Sequence, residues 1–394
     1  MTAGAPVAAA EAAPQPALRI LGTRGVPAAH GGFETFAEHL ALYLVSRGWR
    51  VTVYCQEQGR GPIVLDRWQG VQRVRIPVQP GGPRGTIAFD WAATRHAARA
   101  GELCLTLGYN TAVFCAWLRL AGVPNLINMD GIEWQRAKWG ALARTWFWLN
   151  EHAGSRLGNH LVADHPEIQR HLARAAPQDK ISTIAYGADR LLDLPQTPVR
   201  TLGLEPGRYL TLIARPEPEN SVLEVVQAYS RRRRGQTLAV LGAYDEGVPY
   251  HRTVRAAAGD EVRFLGALYD KPLVQALRAH CSAYVHGHRV GGTNPSLVEA
   301  LGAGNAVIAH DNRFNRWVAG DGARYFSGPD DLALAFDELL GSAAGSASAP
   351  GGLDLPALRR AAVHRFEQAF TWPAVLAQYE ALLRRWLPAA ARSA

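Results

Sequence analysis

Cysteine is scarce in this chain: four in 394 residues, at positions 55, 104, 115 and 281. No pair has the spacing of a metal site or a disulfide framework. Cys55, Cys104 and Cys281 lie in apolar runs, so buried free thiols in a reducing compartment are expected. Long apolar runs are absent too. None reaches the roughly 18 residues a spanning helix needs, and Thr111–Val123 is broken by Arg119. The stretch Met1 to Ala17 is rich in Ala and Pro, carries Glu11 and has no basic region. It reads as a disordered tail and not as a signal peptide. A soluble or peripheral membrane protein is the expectation.

What the chain does have is positive charge and glycine. The formal net charge is +8, with 39 Gly and 24 Pro among 48% hydrophobic residues. Residues 1–190 hold 20 Lys/Arg against 14 Asp/Glu, a balance of +6; residues 191–394 hold 22 against 20, a balance of +2. No RNA- or DNA-binding motif accompanies this excess, so nucleic acid is not an expected partner. An anionic membrane surface or an anionic substrate suits it better.

The length suits two domains with separate cores. Apolar strands alternate with helical stretches from end to end. Strands are expected near Leu18–Leu21, Arg50–Tyr54, Val71–Ile76, Leu103–Leu107, Asn125–Met129, His160–Ala163 and Ile181–Ile184. The alternation stops near Tyr186–Pro206, where Asp and Pro are frequent, and this reads as a linker. It resumes with strands near Tyr209–Ala214, Leu238–Leu241, Val262–Leu265, Ala283–Val285 and Ala306–Ala309. Gly341–Gly352 reads as a surface loop, and helices over Leu355–Ala369 and Trp372–Leu387 close the chain. The pattern predicts two α/β domains, each a doubly wound, Rossmann-like parallel sheet. The expected division is tail 1–17, first domain 18–190, linker 191–206, second domain 207–369 and closing helix 370–394. In such sheets ligands sit beyond the carboxyl ends of the strands, and here the expected place is between the domains.

Four segments carry candidate chemistry. Residues 286–299 follow a short strand and open a helix: His286, Gly287, His288, then Gly291, Gly292, Thr293, Asn294 and Pro295, with Glu299 one turn inside. Free N–H groups and the positive helix end make an anion site there. Asn294 suits the N-cap and Pro295 the first helical position. Together these residues suggest a bound nucleotide-sugar, with Glu299 accepting from sugar hydroxyls. Gly31 and Gly32 precede another helix and form a second cradle. Their spacing is not the G-x-G-x-x-G dinucleotide fingerprint, and no acidic residue lies ~20 positions beyond, which argues against a nicotinamide-dependent oxidoreductase. Arg215 directly follows a strand, and its fork of donors suits a diphosphate. Asp130 and Glu133 follow another strand end and are expected to face the site. His286 and His288 lack further ligands of metal spacing, so no metal centre is expected. The stretch Trp134–Trp148 interleaves Trp with Arg and Lys, as interfacial helices do, although ordinary packing explains some of these tryptophans equally well.

In these residues the chain resembles the GT-B, retaining glycosyltransferases of family 4, and more narrowly the rhamnosyltransferase-type branch of bacterial polysaccharide synthesis. The blocks that carry the resemblance are Gly22-Thr-Arg-Gly-Val-Pro with Gly31-Gly-Phe-Glu34, Asp130-Gly-Ile-Glu-Trp134, Ala214-Arg-Pro-Glu-Pro-Glu-Asn220, and His286 through Glu299. The resemblance implies that Gly31 and Gly32 approach the donor diphosphate and the acceptor, and that Arg215 binds the diphosphate. It implies that Gly292, Thr293 and Asn294 serve phosphate and sugar, and that Glu299 holds the ribose. Asn220, His286 and His288 join the implied donor site, and Asp130 and Arg215 the catalytic group, with no cofactor.

The resemblance further implies a cytoplasmic enzyme, peripheral on the inner membrane face. It would transfer a hexose, first dTDP-L-rhamnose, to a lipid-diphosphate-linked saccharide in capsule, exopolysaccharide or O-antigen assembly. UDP-glucose, UDP-galactose or GDP-mannose are alternative donors. Three positions depart from the family pattern: Gly291 stands where its first motif glutamate falls, Asn220 replaces a lysine, and Asp130 replaces a histidine. The Gly291 departure keeps open an inactive sugar-nucleotide-binding subunit. Phe370-Thr-Trp-Pro with Tyr379 resembles the family's closing helix.

Overall fold

The computed structural model describes residues 15–29, 31–79, 81–136, 138–343 and 353–387. Its strands are β1 (Ala17–Leu21), β2 (Arg50–Gln58), β3 (Val64–Trp68), β4 (Val71–Val78), β5 (Cys104–Leu107), β6 (Asn125–Asn128), β7 (His160–Ala163) and β8 (Ile181–Thr183). These lie in one sheet of order β3-β4-β2-β1-β5-β6-β7-β8. A second sheet holds β9 (Tyr209–Ile213), β10 (Thr237–Leu241), β11 (Val262–Gly266), β12 (Ala283–His286), β13 (Val307–His310) and β14 (Ala323–Phe326), in the order β11-β10-β9-β12-β13-β14. Numbered from β9, that order is 3-2-1-4-5-6, the doubly wound arrangement of dinucleotide-binding domains.

The central strands are apolar on both faces because helices cover both sides, as parallel sheets require. Leu210, Leu212, Leu238, Val240, Val285 and Ile308 pack with Val225 and Phe336 in one core of the second sheet, all at 1% exposure or less. In the first sheet Tyr54, Val74 and Ile76 pack with Phe89 and Ala93 of the helix Gly82–Ala100. All four cysteines are free and buried. The α/β fold with two Rossmann-like sheets is as expected.

Three elements differ from the sequence reading. β3 is an additional strand, antiparallel to β4, and β14 closes the second sheet. Within the expected linker lies a helix, Thr197–Thr201, whose Val199 is fully buried. Of the expected tail, Ala17 begins β1, and the Pro16 carbonyl accepts from the Arg50 amide. The expected loop at 341–352 lies mainly outside the described residues, which resume at Leu353.

By internal contacts the chain forms two compact units. Of the described residues, one comprises those within 15–128, 150–161 and 376–387; the other comprises those within 129–149, 162–343 and 353–375. In the first unit the closing helix Trp372–Arg384 contributes Glu380, which accepts from Tyr43 Oη at 3.0 Å and Trp49 Nε1 at 3.3 Å. Tyr379 Oη accepts from Asn128 at 2.9 Å. Among the described residues no helix is long and apolar enough to cross a membrane.

Candidate functional site

Each sheet reverses its winding at one point, and the loops that leave the strands on either side of it enclose a crevice. In the second sheet the reversal falls between β9 and β12. The loop after β9 carries Arg215, and the loop after β12 carries His286 through Asn294. Sheet topology thus brings together residues about eighty positions apart.

The β12 loop runs into the helix Pro295–Gly302. Asn294 is its N-cap, its side chain accepting from the Ser296 amide at 3.0 Å. Glu299, on the same helix, keeps about a third of its side chain exposed and pairs with the buried Arg278 at 2.5 Å. Arg278 also donates to Ser296 Oγ at 3.1 Å. Gly291 has φ +140 with open space beside it, a backbone conformation that a glutamate would strain to adopt.

Arg215 is exposed, at the mouth of its loop. Asn220 is buried, and its amide donates to the Arg215 carbonyl at 2.8 Å. Asn220 thereby shapes the turn that presents the guanidinium. His286 and His288 stack with ring centroids 4.4 Å apart and planes 9° from parallel. Burial drives both below the ordinary histidine range, His288 to about 3 with Arg136 and Arg215 adding to the effect. Both rings are therefore neutral at physiological pH, so they can exchange hydrogen bonds with a ligand but cannot neutralise a diphosphate.

Asp130 belongs to the same compact unit. It has φ +53, uncommon for a residue with a side chain. Burial raises its carboxyl to about 6, helped by Glu133 and opposed by the Gly131 amide, Arg136 and Arg215. Arg136 bridges Glu133 at 2.9 Å and Glu219 at 3.7 Å. Lys138 lies 3.9 Å from Glu217, and Trp139 donates to Glu133 at 3.1 Å. Part of the Trp-and-basic stretch is thus spent on local structure. On the helix Ala141–Leu157, however, Leu142, Trp148 and Leu149 are exposed.

Asp164, which the sequence reading passed over, follows β7 and meets the β12 loop. Its Oδ2 accepts from the Thr293 amide at 2.8 Å, and its carbonyl accepts from the Thr293 hydroxyl. The donor groups of Thr293 are therefore engaged within the protein. Burial raises the Asp164 carboxyl to about 7, with Asp130 contributing. Its signal in the sequence was a carboxylate at a strand's carboxyl end, just before a helix.

The first sheet reverses between β1 and β5. A cavity of about 310 Å³ opens there, lined among others by Arg24, Gly31, Gly32, Asp90, Asn110 and Thr111. Gly31 is the N-cap of the helix Gly32–Ser46. The amide of Arg24 donates to Glu34 at 3.2 Å and that of Ala28 to Glu38 at 2.6 Å, so the helix's own glutamates hold the glycine loop. Gly22 has φ +76, and a Cβ there would fall 2.1 Å from the Leu107 carbonyl oxygen. Asp90, also missed in the sequence, accepts from Thr111 at 2.8 Å, and burial raises its carboxyl to about 6. Among the described residues no three His, Cys, Asp or Glu side chains gather as a metal cluster.

Residues 16–189 match a family model described as a domain of unknown function, DUF1972. No curated protein matches the sequence. Solved structures do resemble the chain. Sucrose-phosphate synthase from Thermosynechococcus elongatus has a TM-score of 0.78 at 18% identity, covering 94% of this chain and 99% of that one. HepE from Anabaena, solved with UDP, has a TM-score of 0.71 at 15% identity, covering 94% and 100%. The UDP-forming α,α-trehalose-phosphate synthase from Burkholderia xenovorans, solved with glucose-6-phosphate, has a TM-score of 0.69 at 14% identity, covering 93% and 99%. Likeness at such identity speaks for the fold, which is GT-B.

Proposed function

We propose that this protein is a retaining glycosyltransferase that takes a nucleoside-diphosphate sugar. The observation that carries the reading is the turn from β12 into the helix Pro295–Gly302. It combines a capped helix N-terminus, a glycine loop and a partly exposed carboxylate, Glu299, on one short element. A diphosphate suits the first two and ribose hydroxyls the third. Arg215, at the end of the neighbouring strand β9, supplies the cation. HepE was solved with UDP, and with UDP and glucose, which supports a nucleotide-sugar ligand for a chain of this fold.

In the mechanism that follows, Arg215 and the glycine-loop N–H groups ahead of Thr293 hold the diphosphate as negative charge builds on the leaving oxygen. Asp130, in its strained backbone conformation, sits beside the transferred sugar. In the retaining course proposed, the departing diphosphate and the acceptor hydroxyl share one face of the sugar. The Gly31–Gly32 cradle receives the acceptor. Charge neutralisation falls to Arg215 and helix dipoles, so the proposal needs no metal. The donor we put first is dTDP-L-rhamnose, the acceptor a lipid-diphosphate-linked saccharide, and the location the cytoplasmic membrane face.

A panel of labelled nucleotide-sugars offered with a defined lipid-linked acceptor tests this directly. Transfer from dTDP-L-rhamnose in preference to UDP-glucose, UDP-galactose and GDP-mannose is the expected result. Transfer from one of the others changes the sugar and keeps the class. A purified chain that binds nucleotide yet transfers nothing would instead be a binding subunit.

A further inference from the structure

Asp164 lies 129 residues before Thr293 in sequence, yet both halves of its residue grip that threonine, the carboxylate on the amide and the carbonyl on the hydroxyl. Its other oxygen, Oδ1, is buried and has no hydrogen-bond partner. That oxygen rests against Gly292, where a Cβ would fall 2.1 Å away. Gly292 thus lacks a side chain because Asp164 occupies its space. Gly131, beside Asp130, also approaches, with its own Cβ direction 3.9 Å from the Gly292 nitrogen.

A buried carboxyl oxygen without a partner is costly for a protein to keep. Nothing in the packing of β7 calls for it, since Leu161, Val162 and Ala163, which lead up to it, are apolar and buried. What the arrangement does is fasten a glycine-rich loop that has few side chains of its own. Two consecutive glycines would otherwise leave residues 291–293 many conformations to lose on binding a ligand.

We propose that Asp164 is a positioning residue: through Thr293 and Gly292 it holds residues 291–293 in the conformation that receives a nucleoside diphosphate. The inference rests on the transferase reading of this loop. Asp164 touches no reacting atom in this scheme; it acts through the loop. Its removal raises the KM for the donor and the Kd for the nucleotide, with a smaller effect on kcat.

The test compares wild type, Asp164→Ala, Asp164→Asn and Gly292→Ala as full-length proteins. UDP, dTDP and GDP are titrated by calorimetry, donor kinetics are measured, and amide exchange is followed across residues 287–296. Asp164→Ala removes the carboxylate's hydrogen bond to the Thr293 amide while the backbone carbonyl still accepts from the hydroxyl, and it is expected to weaken nucleotide binding about tenfold. Faster exchange at the Thr293 amide should accompany it. Asp164→Asn retains an oxygen for that amide and should recover most of the affinity. Gly292→Ala displaces the carboxylate without touching Asp164 and should weaken binding similarly, which keeps the question open to test if Asp164→Ala does not fold. Nucleotide affinity within twofold of wild type in Asp164→Ala, or in Gly292→Ala where Asp164→Ala is unfolded, with unchanged exchange, overturns the proposal. A wild-type chain that binds none of the three nucleotides overturns the transferase reading instead, while the exchange data still report whether Asp164 orders the loop.

Discussion

At the scale of single residues, burial sets the chemistry. Asp130, Asp164 and Asp90 all have carboxyls raised well above the ordinary aspartate value, to about 6, 7 and 6. Above a pH of about 4 an unfolded chain has lost these protons while the folded chain keeps them. The contribution of these three groups therefore falls as pH rises from there, and it is gone beyond about 7, where Asp164 ionises. His286 and His288, kept neutral by burial, act in the opposite sense over the same interval, so the readout is the difference between wild type and Asp164→Asn in thermal melts between about pH 4.5 and 8. The stability of wild type relative to Asp164→Asn should decline across that interval, and a constant difference contradicts the assignment. Arg215 is exposed, so Arg215→Ala should change the melting temperature little. Turnover should fall about 10²–10³-fold, as when one transition-state donor is lost; near-normal turnover at saturating donor would remove Arg215 from the mechanism. The sequence pointed to Arg215, Glu299 and Asn294 because their roles follow from neighbours within a few residues. It did not point to Asp164 or Asp90, whose surroundings are assembled from distant segments.

At the scale of elements, the two ends of the glycine loop between β1 and the helix Gly32–Ser46 answer to different constraints. Gly22 needs its positive φ and its missing Cβ, since the Leu107 backbone fills the space. Gly22→Ala should cost at least about 1–3 kcal/mol from backbone strain alone, measured by denaturant unfolding. Gly31 has extended backbone and only the Glu34 carboxylate nearby, at 3.2 Å. Gly31→Ala should cost no more than about 1 kcal/mol, the loss of a favourable N-cap residue, so a loss of activity in the folded variant reports on the loop's use. Most strands were legible because buried parallel strands are short apolar runs between helical stretches. β3 was not, because it is a sheet edge with Leu65 68% exposed and Asp66 and Arg67 in its middle. The helix Thr197–Thr201 was hidden by the prolines around it, yet Pro198 sits in its first turn, where proline is tolerated.

At the scale of the whole molecule, charge is less available than the net value suggests. The run Arg231–Arg234 looks like a polyanion site, but its members pair with Asp330, Asp337 and Asp260. The surplus of six positive charges in residues 1–190 remains, together with the exposed Leu142, Trp148 and Leu149. Sedimentation with vesicles containing anionic lipid should show binding that weakens as salt rises. Binding that is absent, or indifferent to salt, would end the case for a membrane surface. Both strand orders were beyond reach of the sequence, which shows alternation but not which strands neighbour each other.

The contact between Asp164 and Gly292 also constrains how such a chain can change over time. A side chain at 292 is admissible only with a smaller residue at 164, so the two positions can drift only as a pair. Among relatives, a residue larger than glycine at the second position should coincide with loss of the carboxylate at the first. In the laboratory, Gly292→Ala should do less harm in an Asp164→Gly background than the two single effects added together.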